Sequence, residues 1–114
     1  DERHDMTYSR DVARSVILGC FSTSLEHSIF HIGSGGSYTL RDFCERVKAA
    51  IPSANIEVGP GRGDGGIGWG GPWLFDISRA KKELGYEAKY DPTTAVQDWL
   101  HWLERLELQV VPTI

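Results

Sequence analysis

Between Gly59 and Gly71 the chain places glycine at positions 59, 61, 63, 65, 66, 68, 70 and 71. Glycine loses the most backbone entropy on ordering and brings no side chain to a core, so such a run reads as loop rather than helix or strand. The segment Ile67-Gly-Trp-Gly-Gly-Pro72 cannot begin a helix either. The fold must therefore be built from the stretches on either side. The run carries one cation, Arg62, and one anion, Asp64. Glycine backbone can approach a ligand closely, so Arg62 could serve a phosphate or carboxylate. The plainer reading is a surface connector, with Arg62 solvated or paired to Asp64.

Gly61-x-Gly63-x-x-Gly66 fits the dinucleotide-binding spacing, and so does Gly63-x-Gly65-x-x-Gly68. Two overlapping fits point to glycine density, and no helix follows to hold a pyrophosphate. Gly33-Ser-Gly-Gly36 precedes a helix but has the wrong spacing. Neither loop is read as a cofactor cradle.

Helices are marked by their punctuation. Asp11 opens one through about Phe21, capping its first turn. Val12, Ser15, Val16 and Gly19 share one face of that helix, and Ile17, Leu18 and Cys20 widen it, so it needs cover on more than one side. Thr39-Leu-Arg-Asp42 resembles a capping box, and Ile51-Pro52 ends the helix it opens near Ala50. Leu40, Phe43, Cys44, Val47 and Ala50 form its core face. Ser78 to Leu84 is a short helix with Asp76 and Ser78 as caps, Gly85 at its end and Tyr86 packing back. Asp91-Pro92 starts the last helix, running to about Leu106, with Trp99 and Trp102 as core or interface anchors. Short strands are expected at Asp5–Tyr8, Ser28–Ile32, Ile56–Val58 and Trp73–Phe75. The tail, Gln109 to Ile114, takes no role.

The length of 114 residues suits one domain, and the net charge of −4 argues against a nucleic-acid partner. No apolar run reaches membrane-spanning length, so no membrane partner is expected. Cys20 and Cys44 lack motif spacing and read as two buried thiols of a reduced, cytoplasmic protein. The four histidines form no metal-type pair, and His31 reads as a core or edge residue. An opening of Asp-Glu-Arg-His without methionine is what an excised or processed piece would show.

The order of these pieces resembles the C-terminal part of the NAD-dependent epimerase/dehydratase family, the extended short-chain dehydrogenases/reductases that act on nucleotide sugars. Asp5-Met-Thr-Tyr-Ser-Arg-Asp11-Val-Ala resembles the family's segment ending in Asp-Val/Leu-Ala. Ser28-Ile-Phe-His-Ile-Gly33-Ser-Gly-Gly-Ser-Tyr-Thr39-Leu is similar to its strand, glycine loop, threonine and helix. Arg62-Gly-Asp64 resembles its Arg-x-Gly-Asp loop, one residue shorter. Asp76-Ile-Ser-Arg-Ala-Lys-Lys-Glu-Leu-Gly85-Tyr resembles its Asp-x-Ser-Lys-Ala-x-x-x-Leu-Gly-Trp signature, the most specific of the four.

The resemblance implies a small α/β domain of about four helices with short strands, corresponding to the family's substrate-binding part. Residues 1–38 would complete a Rossmann sheet in the intact family, 39–108 would form the substrate domain, and 109–114 would be a tail. It implies substrate contacts by Arg62 and Asp64, with His4 where the family often has a second phosphate-binding arginine. It implies NAD(P) in the intact family and none for this chain alone. The family's Tyr-x-x-x-Lys pair has no counterpart, since Tyr8, Tyr38, Tyr86 and Tyr90 are followed four residues on by Val12, Asp42, Tyr90 and Thr94. The expected function is a substrate-domain piece that is catalytically silent alone. The alternatives are a stand-alone binding or self-assembling module, or a folded remnant without a role. Missing sheet partners imply a homo-oligomer, or a separate Rossmann subunit.

Overall fold

The computed structural model describes residues 3–59 and 74–106. It is a small mixed α/β domain of four helices and one two-stranded antiparallel sheet among the described residues. In chain order these are β1 (Arg3–His4), α1 (Ser9–Phe21), β2 (Tyr38–Thr39), α2 (Leu40–Ala50), α3 (Ser78–Leu84) and α4 (Pro92–Arg105). In the sheet, Arg3 pairs with Thr39 and His4 with Tyr38.

The helix boundaries follow local chemistry. Thr39 caps α2 in a reciprocal box with Asp42: each side chain accepts from the other's backbone N–H at 3.0 Å. Asp91 and Thr94 close the same kind of box at α4, with Pro92 at its first position. Gly85 ends α3 at φ 63°, a left-handed conformation that a Cβ would strain, and the Tyr86 N–H bonds back to the Ala80 carbonyl at 3.1 Å.

Ile77, Ala80, Leu84 and Tyr86 form the buried centre, and Leu18, Phe30, Ile32 and Ala88 pack against it. The Tyr86 hydroxyl donates to the Gly33 carbonyl at 2.8 Å. Gly33 itself is pressed against a side chain. A Cβ there would run into Asp5 Oδ2 and stand 3.2 Å from Ile77 Cγ2. The packing of α2 on α4 is the other main contact, where Arg46 reaches across to Thr93 Oγ1 at 2.6 Å.

Several expectations are corrected. The stretches 5–8, 28–32 and 56–58 form no strand, and neither do Leu74 and Phe75, while Trp73 lies outside the described residues. Around Ile56 the alternate burial expected of a strand is present, with positions 54, 56 and 58 turned in, but among the described residues no segment pairs with it in a ladder. α1 begins at Ser9, two residues before Asp11, and Asp11 caps nothing in its own helix. Its side chain is 1% exposed and turns inward, where its oxygens accept the Lys89 and Tyr90 N–H groups at 3.0 to 3.1 Å. Leu40 and Cys20 are exposed rather than buried, and Trp99 and Trp102 are 45% and 38% exposed. His31 is exposed, its ring edge-on to Phe75 at 5.5 Å.

The start of α1 is tied to α4 through Asp98, which accepts from the Tyr8 hydroxyl at 2.9 Å and from Arg10 at 2.6 Å. Burial and the Asp98 hydrogen bond push the Tyr8 phenol from 10.0 to about 12. A raised pKa means that the contact stabilises the fold below the unfolded value and is lost as pH rises through the folded one.

Two measurements test these ties. Asp11→Ala should cost about 3 kcal/mol in urea unfolding, because two buried N–H groups lose their acceptor, whereas Tyr86→Phe should cost only about 1 kcal/mol. Absorbance of tyrosinate should show the Tyr8 phenol ionising near pH 12 in the wild type and at lower pH in Asp98→Asn.

Candidate functional site

The glycine loop after Ile32 and the segment leading into α3 enclose an open cleft of about 380 Å³. Gly35, Gly36 and Ser37 form one wall, and Leu74, Phe75 and Ile77 give the other an apolar lining. Asp5, Asp76 and Ser78 add polar groups, and Lys81, in the last turn of α3, is the cation among the described lining residues.

Each wall is held by the chain's own hydrogen bonds. Asp5 Oδ1 accepts the Ser34 N–H at 2.6 Å, which fixes the loop to the segment before α1. Arg3 binds Ser37 twice, from Nε to Oγ at 2.8 Å and from Nη2 to the carbonyl at 2.6 Å. Asp76 Oδ1 accepts the Ser78 N–H at 2.9 Å, in a tight turn that sets the start of α3. The Ser78 hydrogen bonds, backbone first, hold the Asp76 carboxyl below its ordinary value. A carboxylate stabilised in this way is a weak proton acceptor, and Asp5 is occupied by the loop. Among the described residues the cleft thus presents hydroxyls, carboxylates and one ammonium over an apolar lining.

The site residues expected from sequence are only partly covered. His4 lies on β1, one residue before Asp5 and opposite Tyr38, and is not among the residues that line the cleft. Arg62 and Asp64 lie outside the described residues. Asp5 and Lys81 were not anticipated. They are 76 positions apart, and no local pattern signals that they meet. Of the two caps expected for α3, Asp76 takes the Ser78 N–H, whereas Ser78 is the first helical residue and the cap position falls on Ile77, which has no side-chain cap bond.

The glycine loop does not fit a dinucleotide. Its Ser34 N–H, the donor that would meet a phosphate, already serves the Asp5 carboxylate, and the Gly33 carbonyl serves Tyr86. A phosphate there would meet a fixed negative charge.

A second cluster joins Glu26, His27 and Glu83, whose ligand-type atoms lie within 4.8 Å of one another. Glu83 Oε2 accepts the backbone N–H groups of Glu26 and His27 at 3.1 and 3.2 Å, and Oε1 meets the His27 ring. Three donors on one carboxylate make a pin that fastens the segment after α1 to α3. Burial raises the Glu83 carboxyl, but the His27 and Glu26 hydrogen bonds outweigh it and leave the group below its ordinary value of 4.5. With the folded value depressed, the stabilisation is full above the unfolded pKa and disappears as pH falls through the folded one.

No protein-family model, no curated protein and no solved structure matches the chain. The family likeness thus rests on the four quoted segments.

Glu83→Gln should destabilise the protein at neutral pH and flatten the decline of stability between about pH 5 and 3, as followed by urea midpoints across that range. Equal acid sensitivity in variant and wild type would show that the pin carries no charge-dependent stability.

Proposed function

We propose that this chain is the substrate-domain part of a NAD-dependent nucleotide-sugar epimerase or dehydratase, a binding unit without the groups that would perform hydride transfer. The observation that carries the reading is a convergence. Three of the four segments that resemble the family meet around one cleft: Asp5 from the first, Gly35 to Ser37 from the second, and Asp76 to Lys81 from the fourth. The third, with Arg62 and Asp64, belongs to the run that leads in sequence to Leu74 on the cleft wall.

In this reading Arg62 and Lys81 meet the diphosphate, Arg62 through a forked contact and Lys81 as a point charge. Ser37, Ser78 and the free oxygens of Asp76 face sugar hydroxyls, and Phe75 offers an apolar face to the ring. His4, next to Asp5 in the chain, is the second phosphate contact. The intact family supplies NAD(P) from a part of the fold that this sequence does not contain.

A stand-alone module, assembling with itself or with a separate Rossmann subunit, is the second reading. It is favoured by α1, whose apolar side faces outward: Val16, Ile17 and Phe21 are 59%, 57% and 83% exposed.

Titration with UDP-sugars and other nucleoside-diphosphate sugars, followed by tryptophan fluorescence or calorimetry, tests the first reading. Saturable binding in the micromolar to millimolar range is expected, weakened about 5- to 10-fold by Arg62→Ala and by Lys81→Ala, consistent with loss of about 1 kcal/mol per charged contact. No binding of any such ligand at millimolar concentration would overturn it.

A further inference from the structure

The outward side of α1 has an apolar pattern that reads the same from either end. Val12, Val16, Ile17 and Phe21 are 43%, 59%, 57% and 83% exposed, and Ala13 and Cys20 are exposed with them. Positions 12 and 21, 13 and 20, and 16 and 17 are each centred on the same point, midway between Val16 and Ile17. The side turned to the rest of the molecule holds Asp11 and Ser15, both buried, and Leu18. This helix therefore buries polar groups and presents its apolar ones, the reverse of a surface helix.

We propose that a second copy of the chain docks on this face, the two α1 helices packing antiparallel about a twofold axis between Val16 and Ile17. Three observations select a second copy as the occupant. First, the pattern is self-complementary, which an isologous twofold contact requires. Val16 meets Ile17 of the second copy at the centre, and Val12 meets its Phe21 at each end. Second, Ala13 falls opposite Cys20 of the other copy, so two small side chains face one another on either side of the axis and let the helices come together. Third, the area is of the right order. The exposed parts of these six residues come to roughly 550 Å², so complete cover in a pair would bury at most about 1,100 Å², the size of the smallest specific interfaces at about 1,000 Å². Antiparallel helices also oppose their dipoles favourably. The pairing does not depend on nucleotide-sugar binding, so either can fail alone.

Light scattering and sedimentation between about 5 and 200 μM should show the mass moving from 12.7 kDa towards twice that value. Ile17→Asp and Val16→Lys should each hold it at 12.7 kDa with unchanged far-UV circular dichroism, because both side chains are exposed in the single chain. The geometry is tested by cross-linking in a Cys44→Ser background. With Ala13→Cys added, mild oxidation should give a covalent dimer through Cys20, and further Cys20→Ser should abolish it. Without Ala13→Cys no cross-link is expected, because the two copies of Cys20 stand about 10 Å apart along the helices, beyond disulfide reach. A mass of 12.7 kDa throughout overturns the proposal and leaves the face to a different chain. Association insensitive to both charged variants, or no cross-link from Ala13→Cys, also overturns it.

Discussion

The carboxylate of Asp11 fixes how α1 lies on the domain. It is buried, and its oxygens receive the Lys89 and Tyr90 N–H groups, with Arg14 at 3.2 Å. Rolling the helix to bury Val16 and Ile17 would strand a carboxylate and two backbone donors. Each unsatisfied group costs about 1 to 3 kcal/mol, more when charged, which matches or exceeds the gain from burying one aliphatic side chain. The segment after α3 is held by the same bonds, and Tyr86 then clamps it to Gly33. Asp5 grips the other side of that loop through Ser34. One chain of contacts thus runs from α1 through the α3–α4 connection to the cleft.

How legible each part was depends on the reach of its bonds. Both reciprocal caps close over three residues, Thr39 with Asp42 and Asp91 with Thr94, and the end of α3 depends on Gly85 and the adjacent Tyr86 N–H. A sequence shows such features directly, although the part of Thr94 in its cap went unread. Strands are different. Ser28–Ile32 and Ile56–Val58 have the composition and partly the alternation of strands, but a strand is a pairing, and its partner lies elsewhere in the chain or in another chain. The orientation of α1 was hidden for a related reason. Its apolar pattern indicated a need for cover, while the acceptor role of Asp11 was settled by donors 78 and 79 positions away.

The candidate site was legible mainly as segments. The Gly33–Ser37 loop and the Asp76–Ser78 turn were visible, as was the glycine-rich run between them and the last two helices. Their meeting at a common cleft was not, since it depends on Asp5 and Lys81 entering from distant parts of the chain. Several residues that carry the family resemblance have structural work here. Asp11 orients a helix, Gly33 accepts Tyr86 and admits Asp5, Thr39 caps α2 and Gly85 ends α3. A likeness concentrated in such residues bears on how the chain folds. The chemistry has to be argued from the cleft itself, where the two carboxylates are engaged by neighbouring backbone N–H groups.

The same clasp separates assembly from binding. Asp11 turns the polar side of α1 inward, which leaves its apolar side exposed. None of the residues lining the cleft lies on α1. A partner seated on Val16 and Ile17 would therefore not occupy the walls built by Gly35 to Ser37 and by Leu74 to Lys81. The two remain mechanically joined, because Tyr86 bonds the loop after Ile32 and the neighbouring Lys89 and Tyr90 bond Asp11.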